Sequence, residues 1–229
     1  MALREIADAL EREFQKRLLY LWRTPPAMDE STFWVSELPF CERKMWLRRV
    51  IGAREPPRPR MVHGALLHRA AFDVIRSIFP SQEIRAEVPV EQEFNGIRIR
   101  GRVDFLVGDV PIELKESSVL RTGPRELFLA YKQQLNAYLN LLNVGTGLLV
   151  IVDPRDFSVT VKRVRRNRKQ FDALLRKAAR VRRAILERKL PARGSAWECE
   201  NPEYACGFRV LCAMLPASES RSREKRSST

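Results

Sequence analysis

The sequence predicts an α/β (α+β) fold with a central mixed β-sheet flanked by helices. Three observations lead there. Helical patterns fill most of the chain from Ala2 to Phe79, a run of strand-like segments follows, and a periodic helix over Pro124–Leu142 separates these from two further strands. From Ile97 to Lys115 the apolar residues alternate with period two rather than 3.6. Asn95-Gly96, with strand-like residues on both sides, is a strong hairpin signal.

The elements follow in order. Leu3, Ile6, Ala7, Leu10, Phe14 and Leu18 recur at helical spacing, so Ala2–Arg23 reads as a helix ended by Thr24-Pro25-Pro26. An aromatic segment, Phe33 to Phe40, leads into a helix that opens at Cys41 and stops near Gly52. REPPRPR, residues 54–60, is a proline-rich loop. Met61–Phe79 is a second helix, with Gly64 and His68 on one face. A lone helical histidine is more often a packing residue than a ligand. Glu83–Phe94 reads as a strand joined by Asn95-Gly96 to the next one, and Gly108-Asp109 turns the chain into Val110–Glu116. The helix over Pro124–Leu142 has proline at its first turn and carries Gln134 and Tyr138 four residues apart. Gly147–Asp153 and Phe157–Val164 are strands joined at Asp153-Pro154, and Arg165–Leu190 is a long helix.

Within Ile97–Lys115 the alternation puts Arg98, Arg100, Arg102 and Asp104 on one side and Ile97, Ile99, Val103 and Phe105 on the other. In the next strand Ile112 and Leu114 face the core, with Glu113 and Lys115 opposite. Paired strands would bring Asp104, Glu113 and Lys115 to one point, with three arginines leading up to it. Two adjacent carboxylates raise each other's pKa unless a cation lies between them. Oxygen donors suit Mg2+ or Mn2+ better than zinc. A lysine on the same face could orient or help deprotonate a metal-bound water, which is the chemistry of phosphodiester hydrolysis. Alternation alone is equally the mark of any half-buried strand.

Of the 229 residues, 42 are Lys or Arg and 28 Asp or Glu, giving a net charge of +14 and a pI near 10.3. Such an excess favours a polyanionic partner, nucleic acid before membrane lipid. Between Lys162 and Lys189 thirteen basic residues face only Asp172 and Glu187, a balance that suits tracking along phosphates. The longest apolar runs, Leu18–Trp22 and Leu148–Val152, fall far short of the roughly 20 residues of a membrane span. Charged residues interrupt the N-terminal segment where a secretory signal would be apolar, so a cytoplasmic protein is expected.

Cys199, Cys206 and Cys212 cluster near the C-terminus, and Cys41 lies far upstream. In a reducing compartment four cysteines point to a metal or cluster site, zinc and iron-sulfur both being compatible, with free or disulfide-bonded thiols as the alternative. A single shared centre would clasp the two ends of the chain together. The tail over residues 217–229 is polar and expected to be disordered.

Taken in order, Cys41, Gly64-x-x-x-His68, Gly101-x-x-Asp104, Glu113-x-Lys115, Gln134-x-x-x-Tyr138 and three cysteines form a series. It resembles the RecB-type branch of the PD-(D/E)xK nuclease superfamily, and within it the CRISPR-associated exonucleases with a four-cysteine iron-sulfur cluster. The resemblance implies a restriction-endonuclease-like core over residues 61–190, with an N-terminal helical region, 1–60, that brings the first cluster cysteine. A C-terminal segment, 191–216, would supply the others, and the iron-sulfur region would join the two ends. It further implies His68, Asp104, Glu113 and the Leu114 carbonyl as ligands of a catalytic Mg2+ or Mn2+. Lys115 would be the catalytic lysine, with Gln134 and Tyr138 flanking the site. Cys41, Cys199, Cys206 and Cys212 would hold a cluster, 4Fe-4S before 2Fe-2S. Arg98, Arg100, Arg102 and Arg121 are the expected DNA contacts.

The implied activity is metal-dependent exonucleolytic cutting of single-stranded DNA ends during CRISPR spacer acquisition, beside the integrase complex. The alternative is a DNA-binding adaptor of that complex with weak or partner-dependent nuclease activity. A homo-oligomer is compatible with either. Two features depart from the family pattern. Glu203 stands where a C-x2-C-x5-C arrangement would put its first cysteine, and Val103 replaces the proline that names the superfamily.

Overall fold

The computed structural model describes residues 29–55, 59–200 and 206–215, together with Glu5, Ile6, Asp8, Ala9, Leu10 and Glu13. The rest of the helix expected over Ala2–Arg23, the middle of the REPPRPR loop and the tail over residues 217–229 lie outside the described residues.

One six-stranded sheet organises the chain. Its strands are β1 (Thr32–Trp34), β2 (Ile84–Phe94), β3 (Ile97–Val107), β4 (Val110–Glu116), β5 (Thr146–Val152) and β6 (Val159–Arg165). Asn95 and Gly96 both take positive φ, 50° and 74°, as a two-residue type I′ hairpin requires, and this fixes β2 antiparallel to β3 from Phe94↔Ile97 onward. β2 occupies one edge of β3 almost throughout. The other edge is divided: β1 pairs in parallel at Arg98–Arg100, and β4 pairs antiparallel at Phe105–Val107. β5 is parallel to β4, because the α3 helix (Arg125–Leu141) carries the chain back across the sheet, and β6 returns antiparallel to β5. The sheet is therefore mixed.

Helices cover both faces. The α2 helix (Pro59–Ile78) lays Leu67, Ala71, Phe72 and Ile75 over Phe105, Ile112 and Leu114. On the opposite face, Ala137 and Tyr138 of α3 join Phe171, Leu174, Ala178, Val181 and Ile185 of α4 (Arg168–Leu186) above Ile97, Ile99 and Val103. Those five α4 residues form the inward stripe of a strongly amphipathic helix. Burying each large apolar side chain contributes roughly 1.5–3 kcal/mol. The helix starts at Arg168 rather than Arg165 because the Asn167 side chain accepts the Gln170 N–H at 2.9 Å and caps it. Lys177 is an exception to the outward basic face, since its ammonium donates to the Leu38 and Phe40 carbonyls. The α1 helix (Glu42–Val50) packs against α4, and two short helices, α5 (Ala196–Cys199) and α6 (Arg209–Met214), follow.

Two local readings change. The aromatic stretch beginning at Phe33 overlaps β1 (Thr32–Trp34), a three-residue strand with Phe33 wholly buried, too short to show a period. Val103 and Phe105, expected on one face, pack in the two clusters on opposite faces of the sheet. The chain shifts its facing by one position at Asp104, where β3 has left β1 and begins to meet β4. Opposite, between the Val88↔Val103 and Ala86↔Phe105 pairs, Glu87 takes φ 52°. The change of face therefore falls at Asp104, across from that residue.

Candidate active site

Asp104 lies where β3 and β4 splay apart. Its Oδ2 accepts the Leu114 backbone N–H at 2.7 Å, so the carboxylate bridges strands that no longer share a regular ladder. The carbonyl of Leu114 faces His68 Nε2 at 3.2 Å, and His68 Nδ1 stands 3.6 Å from Asp104 Oδ1. α2 delivers the imidazole from one face of the sheet, with its ring against Phe105. Nothing in the structure explains Gly64, since a Cβ there would meet no neighbour.

Glu113 enters from the other face. Its side chain is fully buried; Oε1 accepts Gln134 Nε2 at 2.6 Å and pairs with the Lys115 ammonium. Oε2 is buried and has no hydrogen-bond partner among the described residues. Tyr138, one turn beyond Gln134 on α3, is also buried and packs directly over Gly101. A Cβ at Gly101 would lie 2.7 Å from the Tyr138 ring, which is the packing reason for glycine three residues before Asp104.

Burial raises the pKa of both carboxylates. Glu113 is pushed up to about 7, by burial first and by Asp104 second, while Lys115 and His68 oppose the rise at Asp104 without cancelling it. Burial disfavours charge on Lys115, but Glu113 and Asp104 outweigh it and hold the ammonium above its ordinary range. His68 is raised as well: burial opposes the change, and Glu87 and Asp104 more than offset it. Tyr138 is held well above the usual phenol range by burial and by both carboxylates.

The donor set fits a hard divalent cation. Donor atoms of His68, Glu87 and Asp104 all lie within 4.8 Å of one another, and the Glu113 carboxylate, near enough to Asp104 for that charge to raise its pKa, is the next acid. Carboxylate oxygens with one imidazole suit Mg2+ or Mn2+. Glu87 is the member that sequence reasoning missed. The Asn95-Gly96 turn carried the signal, because counting back from Phe94↔Ile97 puts Glu87 opposite Asp104.

The arginines leading to Asp104 are interleaved with β2 carboxylates. Glu91 pairs with Arg98 at 3.3 Å and with Arg100 at 3.6 Å, and Glu87 pairs with Arg102 at 2.9 Å. Arg100 also lies over the Trp34 ring, 4.8 Å from its centre. Arg121 is elsewhere in the fold, bonded to Asp156 at 2.7 Å and Ser158 at 3.1 Å near the β5–β6 turn.

The four cysteines are free thiols. Cys41 precedes α1, and a Cβ on Gly194 would come within 3.1 Å of its sulfur. Cys199 Sγ lies 3.8 Å from the carbonyl of the same Gly194, and Arg43 Nη1 donates to Cys212 Sγ at 3.6 Å. Burial pushes the Cys41, Cys199 and Cys206 thiols up, and Cys206 and Cys212 add to the rise at Cys199. Cys41 and Cys199 thus both lie against Gly194, and Cys206 and Cys212 are near enough to Cys199 to be felt by it.

Comparison with known proteins places this geometry. Among solved structures the chain is similar to that of SSO0001, with 22% identity over 92% of this chain and 98% of the other, at a TM-score of 0.65. A phage-related exonuclease from Haemophilus somnus 129PT shares 15% identity over 64% of this chain and 79% of its own, at a TM-score of 0.50. An alkaline exonuclease from Laribacter hongkongensis aligns over 69% of this chain and 87% of its own, with 18% identity and a TM-score of 0.47. At these identities the likeness is one of fold. The comparison with curated proteins gives no match. The family model described as the PD-(D/E)XK nuclease superfamily matches residues 43–213, which run from within α1 through the whole sheet from β2 onward and the Asp104–Glu113–Lys115 site into α6. This chain belongs to the PD-(D/E)XK nuclease superfamily.

Proposed function

We propose that the chain is a Mg2+- or Mn2+-dependent exodeoxyribonuclease acting on single-stranded DNA ends, and that it processes DNA for CRISPR spacer acquisition beside the integrase complex. The observation that carries the nuclease reading is the unpartnered Glu113 Oε2, buried beside Asp104 and next to a charged lysine. Once ionised, an oxygen in that position asks for a cation.

His68, Asp104 and Glu113, with the Leu114 carbonyl, would hold the metal. When bound, a divalent ion supplies a Lewis acid for the phosphate and lowers the pKa of its water. Asp104 is held in place by the Leu114 N–H, and Glu113 by Gln134. Lys115, whose ammonium pairs with Glu113, is placed to orient the attacking water and to stabilise developing negative charge. Tyr138 walls the site and stays protonated. The +14 charge and the basic outer face of α4 supply attraction for a nucleic-acid strand.

The same reading assigns Cys41, Cys199, Cys206 and Cys212 to an iron-sulfur cluster, 4Fe-4S before 2Fe-2S. Its support is a set of four cysteines that is not disulfide-bonded, with Cys41 and Cys199 both against Gly194 and with Cys206 and Cys212 near enough to Cys199 to raise its pKa. The deciding experiment uses anaerobically purified protein and single-stranded DNA labelled at the 5′ or the 3′ end, with Mn2+, with EDTA, and with Asp104→Ala. Metal-dependent shortening that the variant lacks establishes the nuclease and its polarity. Tight binding with no cutting moves the assignment to a DNA-binding adaptor.

A further inference from the structure

Glu87 occupies an unusual position. It lies in the middle of β2, directly opposite Asp104, with φ 52°, a left-handed conformation that a non-glycine residue rarely holds inside a strand. Its carboxylate reaches two ways. Oε1 is 3.9 Å from His68 Nδ1, and the residue belongs to the donor group with Asp104, whereas Oε2 pairs with Arg102 Nη1 at 2.9 Å. About half of each side chain, 49% for Glu87 and 47% for Arg102, is open to solvent. An ion pair this exposed is weak and easily exchanged. Arg102 sits two residues before Asp104, on the strand that forms the wall of the site.

We propose that Glu87 is an exchangeable carboxylate of the metal centre: it holds Arg102 while the centre is empty, turns to the cation when one binds, and so releases Arg102 to a phosphate of the bound strand. This rests on the reading of the His68–Asp104–Glu113 site as the metal centre of a nuclease. The physical logic is competition for one carboxylate. A divalent charge at Asp104 and His68 attracts Glu87 more strongly than one guanidinium half in water does. Freed of its partner, Arg102 presents the planar fork of donors that suits phosphate oxygens. The cation and the strand then favour each other, and such coupling is reciprocal.

The test measures binding rather than turnover. Mn2+ affinity is titrated with and without a phosphorothioate-linked single-stranded oligonucleotide, and oligonucleotide affinity with and without Mn2+, for the wild type, Glu87→Gln, Arg102→Ala and Asp104→Ala. In the wild type each ligand should tighten the other by the same factor, about 5- to 150-fold. Glu87→Gln should weaken Mn2+ binding, bind the oligonucleotide more tightly than the wild type when no metal is present, and respond little to Mn2+. Arg102→Ala, which removes the competitor for Glu87, should bind Mn2+ more tightly than the wild type in the absence of DNA and lose the coupling. If Glu87→Gln keeps the wild-type Mn2+ affinity or the wild-type coupling while Asp104→Ala loses Mn2+, the exchange is wrong and the metal centre stands. If Asp104→Ala also keeps its Mn2+, the metal centre itself fails, and this inference with it.

Discussion

Asp104 and Leu114 are joined across the opening between β3 and β4, the Leu114 N–H donating to Asp104 Oδ2 at 2.7 Å. The carbonyl of the same residue faces His68 at 3.2 Å. Backbone from β4, a carboxylate from β3 and an imidazole from α2 are thereby fixed to one another before any ligand arrives. A regular ladder would have spent that N–H on the neighbouring strand, and the splay makes it available to the side chain.

Asp104→Asn separates the two duties of this residue. The amide oxygen can still accept the Leu114 N–H, so the fold should keep its melting temperature within a few degrees. The missing charge should lower DNA cleavage by at least about a hundredfold. Thermal melts and end-labelled cleavage assays on the same preparation check it; retained cutting would remove Asp104 from the site.

Gly101→Ala should disturb the site from its foundation. The added Cβ would stand 2.7 Å from Tyr138 Cε1 and 3.1 Å from Val35 Cβ, and Tyr138 is only 2% exposed, so the ring has little room to yield. Overpacking of this kind costs about 1–3 kcal/mol. For a chain of this length that corresponds to a fall in melting temperature of roughly 2–4 °C per kcal/mol. Unchanged stability would show that the sheet moves aside more easily than its packing implies.

Much of the site was legible because its signal is local. Period-two alternation put Glu113 and Lys115 on one face, and the Asn95-Gly96 turn fixed the β2–β3 hairpin. The mixed sheet followed from the order of elements. What escaped depends on contacts between distant segments. β1 is only three residues long and exists through its pairing with Arg98–Arg100. The change of face between Val103 and Phe105 arises because β3 exchanges one edge partner for another. The row of arginines looked like open positive charge, whereas Glu87 and Glu91 lie across from it. That pairing could have been counted from the turn. The left-handed backbone of Glu87 could not, since nothing in a glutamate's neighbours along the chain requires it.

Glu113 yields a prediction about metal and pH together. Its folded-state pKa is raised from 4.5 to about 7, with burial as the first cause and Asp104 as the second. For a raised acid the folded state is favoured fully below the unfolded pKa, and that advantage is lost as pH rises from about 4.5 through about 7. A cation bound by the ionised carboxylates offsets the loss. The rise in melting temperature produced by Mn2+ should therefore be larger at pH 8 than at pH 5.5, and Glu113→Gln should flatten the difference. Differential scanning with and without Mn2+ reads it directly; an equal shift at both pH values would place the bound ion away from Glu113.

Glu55 gives the opposite sign, and it tests how the cysteine segment is attached. Its carboxylate, 7% exposed, accepts the Gly207 N–H at 2.9 Å and pairs with Arg48 at 2.7 Å and Lys44 at 2.8 Å, so it ties α1 to the segment that begins at Cys206. Burial by itself would raise its pKa, but Lys44, Arg48 and Gly207 together hold it at about 2 against an ordinary 4.5. A depressed acid contributes stability that is complete above the unfolded value and is lost as pH falls from about 4.5 through about 2. At one pKa unit per 1.36 kcal/mol the contribution at neutral pH is on the order of 3 kcal/mol. Glu55→Gln should be less stable than the wild type by about that amount at pH 7, and the gap measured by urea denaturation should narrow steadily below pH 4.5. A gap that stays constant down to pH 3 would mean that the carboxylate's shape, rather than its charge, fastens the C-terminal cysteines to α1.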